Sequence, residues 1–256
     1  MGDDSVMPPL KPPRRAEDQT RRVRDLLRAE IVAGGFGDRS LPSEEELRLE
    51  FGVPRASVRQ ALDLLQAEGL IERVRGQGTF VVGLHINHTM GELHGVEDPA
   101  EDSVWNGRMR AGLVDWRDVP APPPVARMLR VPPGTTLLRI DYVAHLDDMA
   151  FGGATNYLTY PEASALRPEM FHDDFYALLR KVGIRLEESV FRLDATTADE
   201  YDAELYGISE GDPMASMEMV YSINGRPVDA AFGRSWGTKA TFLSRAVHVA
   251  AKPGGA

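Results

Sequence analysis

The sequence contains no cysteine, no long hydrophobic run and no excess of basic residues. Without cysteine there is no disulfide and no thiolate metal site, which favours a reducing compartment. No apolar stretch approaches the roughly 20 residues that cross a bilayer. The first residues, MGDDSVMPPLKPPRR, lack the hydrophobic core of a signal peptide. We therefore expect a cytoplasmic protein without a membrane segment.

The formal net charge of -10 argues against a general polyanion-binding protein, but the charge is unevenly distributed. Residues 11–83 hold 13 Lys and Arg against 12 Asp and Glu, whereas the rest of the chain holds 16 against 27. A near-neutral segment with clustered arginines can still present a local positive surface, because salt screens charges beyond about 8 Å. The first third of the chain therefore remains a candidate for nucleic-acid binding.

Two helices are predicted near the start of the chain. Apolar residues at helical spacing predict the first over 17–33, and it ends where Gly34 and Gly35 follow. Ser43 and Glu46 form a capping box, in which each side chain satisfies a backbone amide at a helix start. The second helix therefore begins near Ser43 and ends at Gly52.

A third helix and a hairpin follow directly. The helix is predicted over 55–68, because one of its faces carries Val58, Ala61, Leu62 and Leu65. Short β-prone runs at 70–75 and 79–82 are joined by Gly76-Gln77-Gly78, which predicts a hairpin. Three helices and a hairpin in this order predict a winged helix-turn-helix domain over 17–83.

The other segments differ in composition. Residues 1–16 are rich in proline and charge and are expected to form a flexible arm, and residues 84–103 lack a sustained period and are expected to form a linker. Residues 104–250 are predicted to form an α+β domain with a mainly antiparallel sheet. Its predicted strands lie at 109–119, 136–144, 149–161, 213–223 and 228–237, with helices around 174–182 and 198–206 and a turn at Asn224-Gly225.

The third helix carries the residues best suited to DNA. Arg55 and Arg59 are one helical turn apart, Ser57 lies near the same end, and the apolar face points the other way. An arginine can form two hydrogen bonds to guanine and a hydroxyl can reach a phosphate. The alternative is a solvated helix surface on which Arg59 pairs with Asp63. The hairpin adds Arg73, Arg75 and the backbone amides of 76–78, which suit a phosphate or the minor groove.

The stretch LPSEEEL, followed by FGVPRASVRQALDLLQAEGLIERVRGQGTFV, resembles the winged-helix signature of the GntR family of bacterial transcriptional regulators. This resemblance implies DNA contacts at Ser43, Arg55, Ser57, Arg59, Arg75 and Gly76. Two residues depart from the family pattern: Pro54 replaces a helix-start Ser or Thr, and Glu45 stands where many members have a DNA-contacting arginine. Both departures affect DNA affinity or the operator sequence.

The second domain resembles the UTRA domain of the HutC-like branch of this family. The similarity lies in VPPGTTLLRIDYVAHLDDMAF and in LYGISEGDPMASMEMVYSINGRPVDAAFGRSWGTKATF. It implies a chorismate-lyase-like fold that binds a small-molecule effector and performs no chemistry. Members that bind sugar phosphates carry two alternating arginines before an Asp-Gly turn, and here those positions hold Tyr142 and Ala144. We therefore expect an effector other than a sugar phosphate, since the paired guanidinium donors are missing.

The alignment places eight residues at the effector pocket, which would suit a less anionic and partly aromatic ligand: Tyr142, Ala144, His145, Asn156, Tyr157, Tyr221, Asp229 and Arg234. Each has a structural alternative. The tyrosines can pack in the core, His145 can lie exposed beside Asp147-Asp148, and Arg234 can serve in an ion pair. No metal site and no cofactor are expected, because His145 lacks a second ligand at helical or hairpin spacing.

The expected function is that of a ligand-responsive repressor that binds a palindromic operator as a homodimer. A dimer is expected because one recognition helix contacts few base pairs, and two half-sites add their binding energies. No enzyme motif is apparent in the sequence. The alternative is a small-molecule-binding or lyase-like enzyme in which the winged helix is a protein-interaction module, since fold alone does not decide function.

Overall fold

A computed structural model of the chain describes residues 15–37, 39–82, 86–89, 109–146, 149–172, 174–237 and 240–243. Residue contacts divide the chain into two compact units, 1–84 and 85–256. The predicted arm up to residue 14, most of the predicted linker and the predicted Asp147-Asp148 turn lie outside the described residues. Among the helices in the described part, none is long and apolar enough to cross a membrane.

The first unit contains the three helices and the hairpin that the sequence predicts. These elements are α1 (Arg15–Val32), α2 (Glu44–Phe51), α3 (Arg55–Ala67), β1 (Ile71–Val74) and β2 (Gly78–Val81). The two strands pair antiparallel, with Ile71 opposite Val81 and Val74 opposite Gly78. The winged helix-turn-helix prediction is therefore confirmed, and the predicted helix ends agree to within two residues.

Local chemistry explains where α2 and α3 begin. The Ser43 backbone amide donates to Glu46 Oε2 at 2.8 Å and the Glu46 amide donates to Ser43 Oγ at 3.3 Å, which is the predicted capping box. Gly52 ends α2 with a positive φ of 62°. Pro54 precedes α3 with a φ of -59°, and its carbonyl accepts hydrogen bonds from the amides of Ser57 and Val58, three and four residues further along the chain.

The three helices share one apolar core. Six valine and leucine side chains of the three helices are each at most 2 % exposed in this core: Val23, Leu27, Leu47, Val58, Leu62 and Leu65. Burial of such a side chain stabilises the fold by about 1.5 to 3 kcal/mol relative to exposure. The Thr20 hydroxyl of α1 also donates to Gln60 Oε1 of α3 at 3.2 Å, so a polar contact accompanies the apolar packing.

The second unit contains eight strands and three α-helices within the described residues. They are β3 (Ile86–Thr89), β4 (Met109–Pro120), α4 (Pro123–Leu129), β5 (Thr136–Leu146), β6 (Met149–Leu158), α5 (Phe175–Lys181), β7 (Glu188–Thr197), α6 (Glu200–Tyr206), β8 (Pro213–Ile223), β9 (Arg226–Trp236) and β10 (Ala240–Leu243). Two short 3-10 helices, Glu162–Ala165 and Pro168–Met170, lie between β6 and α5.

Six of these strands form one antiparallel sheet in the order β4-β5-β6-β9-β8-β7. One face packs against α5 and the 3-10 segment, with Ile140, Phe175 and Tyr221 in its core. We name it the α5 face. The other face packs against α4 and α6, through Leu137 with Ala126 in one cluster and Val143 with Tyr206 in another. We name it the α6 face. Helices therefore cover both faces of the sheet.

The predicted α+β class and antiparallel sheet are confirmed, with strands at all five predicted places. Among the strands and α-helices of the described residues, four were not predicted: β3, α4, β7 and β10. The linker prediction needs correction at Ile86–Thr89, which forms β3 and pairs parallel with β10. The partners Ile86 and Ala240 are more than 150 residues apart, so no local periodicity could indicate this pairing.

Candidate nucleic-acid interface and ligand pocket

The start of α3 presents two arginines to solvent. The side chains of Arg55 and Arg59 are each 71 % exposed, while the predicted apolar face of this helix is buried in the core of the first unit. Because the two positions are one turn apart, both guanidinium groups project from one side of the helix. This is the arrangement that a helix needs to place arginines in a DNA groove.

A carboxylate from α2 holds both arginines. Arg55 Nε donates to Glu44 Oε2 at 2.9 Å, and Arg59 Nε lies 3.9 Å from Glu44 Oε1. The alternative pairing of Arg59 with Asp63 does not form, because Asp63 instead pairs with Arg73 Nη1 at 2.7 Å. Sequence reasoning missed Glu44, since it lies on another helix and no spacing rule connects it with α3.

Ser43 and Glu45 lie at the start of α2, and both are engaged locally. The Ser43 hydroxyl donates to Glu46 Oε2 at 2.7 Å, and this bond and that of the Ser43 amide lower the pKa of Glu46. Glu45 accepts from Arg48 Nη2 at 2.7 Å and Arg48 Nε at 2.9 Å, and these hydrogen bonds lower its pKa. Ser43 and Glu45 are exposed, so both remain accessible from outside the unit.

The structure corrects the placement of Ser57. This residue is only 4 % exposed, and it does not share the exposed side of α3 with Arg55 and Arg59. Ser57 lies one turn before Ala61, which belongs to the buried face. The i, i+4 relation to a predicted core residue was therefore the available signal that Ser57 packs inward.

The hairpin turn is Arg75-Gly76-Gln77, and all three residues are exposed. Gly76 has a φ of 78°, a conformation that favours glycine. Arg73 differs from the prediction, because its ion pair with Asp63 and a 3.3 Å hydrogen bond from its Nη2 to the Arg59 carbonyl hold it against α3. Arg73 thus fixes the wing on the helix, while Arg75 projects from the turn.

A cavity lies against the sheet of the second unit. It encloses about 580 Å³ counted to its open mouth. Its walls come from five neighbouring strands of the sheet, which are β4, β5, β6, β9 and β8, and from the start of α5. The lining residues are Met109, Arg110, Ala111, Tyr142, Ala144, Phe151, Gly152, Gly153, Ala154, Asp174, Tyr176, Met217, Met219, Gly233, Arg234 and Ser235.

Three of the eight predicted effector residues line this cavity: Tyr142, Ala144 and Arg234. The other five do not line it, and each has a structural role or position instead. Tyr157 lies on the α6 face and packs against Phe232 with ring centroids 6.2 Å apart. His145 pairs with Arg110 at the next register position after Ala144, so strand alternation also puts it on the α6 face. The alternation between faces is therefore what separates these two residues from the cavity.

The α5 face also carries Asn156, Tyr221 and Asp229, which do not line the cavity. Each is at most 1 % exposed. Asn156 Nδ2 donates to Asp229 Oδ2 at 2.7 Å, and burial raises the pKa of Asp229 to about 8. The Tyr221 hydroxyl bonds to that of Tyr176 and donates to a methionine sulfur at 3.1 Å. The three side chains are therefore buried and do not line the cavity.

Arg234 touches the cavity wall, but its guanidinium is held elsewhere. Its Nη2 lies 2.5 Å from Asp202 Oδ2 and donates to the Thr197 carbonyl at 3.1 Å. Asp202 belongs to α6, so this ion pair lies on the α6 face. The sequence alternative of a structural ion pair therefore describes Arg234.

Sequence reasoning missed the polar residues Asp174 and Ser235. Asp174 precedes α5, and its Oδ1 accepts from the Ala177 amide at 2.8 Å. Burial raises the pKa of Tyr142, and the negative charges of Asp174 and Asp229 raise it further. Only the helix-start position of Asp174 was visible in the sequence. Within the described ranges, no group of three or more His, Asp or Glu residues is placed to hold a metal ion.

Two family profiles match the chain. Residues 19–81 match the bacterial regulatory proteins of the gntR family, and residues 106–239 match the UTRA domain. The second match covers more than half of the 256 residues. Both matches fall within the two units that residue contacts define, one in each unit.

Full-length relatives cover most of the chain. The HTH-type transcriptional repressor PhnF of Mycolicibacterium smegmatis is 31 % identical over 70 % of this chain and 72 % of its own length. The HTH-type transcriptional repressor NagR of Bacillus subtilis is 26 % identical over 87 % of this chain and 92 % of its own. The crystal structure of PhnF has a TM-score of 0.57, with 25 % identity and coverage of 89 % of this chain and all of that one. The chain therefore belongs to the gntR family of bacterial regulatory proteins, as a DNA-binding transcriptional regulator whose second unit is an effector-binding UTRA domain.

Proposed function

We propose that this protein is a ligand-responsive repressor that binds a palindromic operator as a homodimer. The observation that carries the proposal is the exposed arginine pair at the start of α3, where Arg55 and Arg59 are both oriented by Glu44. In each copy α3 enters the major groove and these two guanidinium groups bond to guanine edges. The relatives PhnF and NagR, which are named as repressors, support the direction of regulation.

The wing and the start of α2 supply phosphate contacts in this proposal. Arg75 and the backbone amide of Gly76 lie at the exposed hairpin turn and bond to the DNA backbone. The exposed Ser43 contacts a phosphate at the start of α2. Ser57 is left out of the interface because it is buried. Since bacterial operators lie in the cytoplasm, the proposal places the protein there.

The second unit binds the effector in the cavity on the α5 face. We assign residues 17–83 to DNA binding, 84–103 to the connection that includes β3, and 104–250 to effector binding and dimerisation. The effector must bind the DNA-bound and free states unequally, with a coupling of about 1 to 3 kcal/mol, to release the operator. We propose no catalytic role for the cavity.

The direct test is operator binding by the full chain and three arginine variants. Fluorescence anisotropy with DNA from upstream of the protein's own gene should show a specific complex. Arg55→Ala and Arg59→Ala should each weaken it by about 1 to 3 kcal/mol if each arginine bonds to a base. Arg28→Ala is the matched control, because Arg28 pairs with Glu68 at the opposite end of α3. Unchanged affinity of both test variants would remove α3 from the interface.

A further inference from the structure

The cavity on the α5 face is walled mainly by apolar side chains. Met109, Phe151, Met217 and Met219 line it, together with the rings of Tyr142 and Tyr176. Methionine side chains adapt their shape and make favourable contacts with aromatic rings. This wall therefore favours a ligand that is mostly hydrocarbon or aromatic.

The charged residues around the cavity do not provide a site for an anion. Arg234 is bound to Asp202 on the α6 face. Arg110 pairs with His145 in the register, so strand alternation directs it to the α6 face as well. Asp174, which is 6 % exposed, brings a carboxylate to the cavity. A phosphate or carboxylate bound here would lie beside the Asp174 carboxylate, and the guanidinium groups of Arg180 and Arg234 are already paired with carboxylates, since Arg180 Nη2 lies 4.0 Å from Asp174 Oδ2.

The wall offers a ligand the hydroxyl of Ser235, and the Nε of Arg234 is likewise buried and without a hydrogen bond among the described residues. Ser235 is 3 % exposed and lines the cavity. Its Oγ is buried and makes no hydrogen bond within the part of the chain that the structure describes. A buried hydroxyl is normally hydrogen-bonded. A bound molecule with a donor or acceptor group would supply the hydrogen bond that the Ser235 hydroxyl lacks.

We propose that this cavity takes a mainly apolar small molecule that is uncharged or cationic and that places one polar group against Ser235. The proposal rests on the proposed role of the cavity as the effector site and adds the chemical class of the effector. It excludes sugar phosphates and other anions, because the Asp174 carboxylate lies at the cavity and the guanidinium groups of Arg180 and Arg234 already have carboxylate partners.

The test measures displacement of a probe from the full-length protein. The probe is N-phenyl-1-naphthylamine, an uncharged dye whose fluorescence rises in an apolar environment. The competitors share one skeleton and differ in one group: ethylbenzene, 2-phenylethanol, 2-phenylethylamine, 3-phenylpropionate and 2-phenylethyl phosphate. The alcohol and the amine should displace half of the probe at concentrations at least about tenfold lower than the two anions. A failure of the probe to bind, or displacement by an anion at an equal or lower concentration, overturns the proposal.

Two variants locate the site. Ala144→Phe places a ring in the cavity wall and should weaken probe binding at least about tenfold, while Ala67→Phe, at an exposed position of the first unit, should not change it. Ser235→Ala should weaken the alcohol about threefold to tenfold and leave ethylbenzene unchanged. If Ala144→Phe does not fold, Ser235→Ala alone decides where the ligand binds. An equal loss of affinity for 2-phenylethanol and for ethylbenzene in Ser235→Ala would contradict the role of Ser235.

Operator release is a separate measurement on the same ligands. Competitors that bind as expected but leave the operator complex intact would count against the proposed regulatory function, while the chemical preference of the cavity would stand. Operator release by an anion that also displaces the probe would support regulation and overturn the ligand class. The two failures are therefore distinguishable.

Discussion

Replacement of Glu44 by glutamine should weaken binding to the specific operator and strengthen binding to random DNA. Glu44 accepts from Arg55 Nε at 2.9 Å and lies 3.9 Å from Arg59 Nε. A bond at Nε leaves the two terminal nitrogens of Arg55 free for a guanine, with the guanidinium plane already fixed. Loss of the carboxylate removes this orientation and also removes a negative charge beside the DNA backbone.

The size of each effect follows from the exposure of the three side chains. Both arginines are 71 % exposed, so the pairs act in a high dielectric. Each exposed pair contributes about 0.2 to 1 kcal/mol. If both pairs orient the arginines, their loss totals about 0.4 to 2 kcal/mol and weakens operator binding by roughly twofold to thirtyfold, since about 1.4 kcal/mol is tenfold. Random DNA should bind about twofold more tightly, because a unit charge roughly 8 Å from a phosphate in water contributes about 0.5 kcal/mol.

The assay is fluorescence anisotropy at fixed salt with operator and scrambled duplexes of equal length. Glu45→Gln is the matched control, because Glu45 is the next residue of α2 and pairs with Arg48 instead of with the α3 arginines. Its loss of charge should strengthen binding to both duplexes. Equal changes for operator and scrambled DNA in Glu44→Gln would show that Glu44 contributes charge alone, and the orientation argument would be refuted.

Three further changes test other parts of the structure. Arg75→Ala should weaken operator and random DNA by the same factor and make the logarithmic salt slope shallower by about 1, and unequal losses would exclude a phosphate contact. Arg234→Met leaves the Asp202 side chain, which is 4 % exposed, without its cation, so denaturant unfolding should show a loss of about 1 to 3 kcal/mol. Burial raises the pKa of Asp229 to about 8, so at lower pH the native state holds a proton that the unfolded state has released, and wild-type stability falls as pH rises towards that value and levels off above it. Asp229→Asn should therefore gain stability relative to wild type between pH 5 and pH 9, and a constant difference would contradict the shift.

The first unit was predictable because its signals are local. The capping box at Ser43, the apolar face of α3 and the glycine turn of the hairpin each occupy a few consecutive residues. The contacts that hold the arginine side chains in place are not local. Arg73 is held by Asp63 and Arg55 by Glu44, and these partners lie about ten residues away on other elements. The spacing of apolar residues therefore predicted helix α3, but it did not predict the ion pairs of the arginines.

In the second unit, too, the secondary structure was easier to predict from the sequence than the residues of the ligand cavity. Five strand positions followed from β-prone runs, but α4 and β7 did not, and β7 is an edge strand with mostly exposed residues. Of the eight effector candidates, three line the cavity. Alternation between the faces of the sheet separates Tyr157 and His145 from it, while Asn156, Tyr221 and Asp229 are buried without lining it. Ser235 could not be found, since its role depends on a missing hydrogen-bond partner that only the packed structure reveals.

The three consecutive glutamates at the start of α2 explain how an acidic helix end can lie at a DNA interface. Glu44 is bonded to Arg55, Glu45 to Arg48, and Glu46 to the N-cap serine, so each carboxylate has a partner within 3 Å. Their negative charge is thereby partly neutralised before DNA arrives. A positive surface alone binds every duplex, because phosphates carry no sequence information. Carboxylates that hold arginines in one orientation lower the non-specific attraction to phosphates. Hydrogen bonds to bases then contribute a larger share of the binding free energy. The near-neutral charge of the DNA-binding unit is therefore consistent with selectivity for an operator.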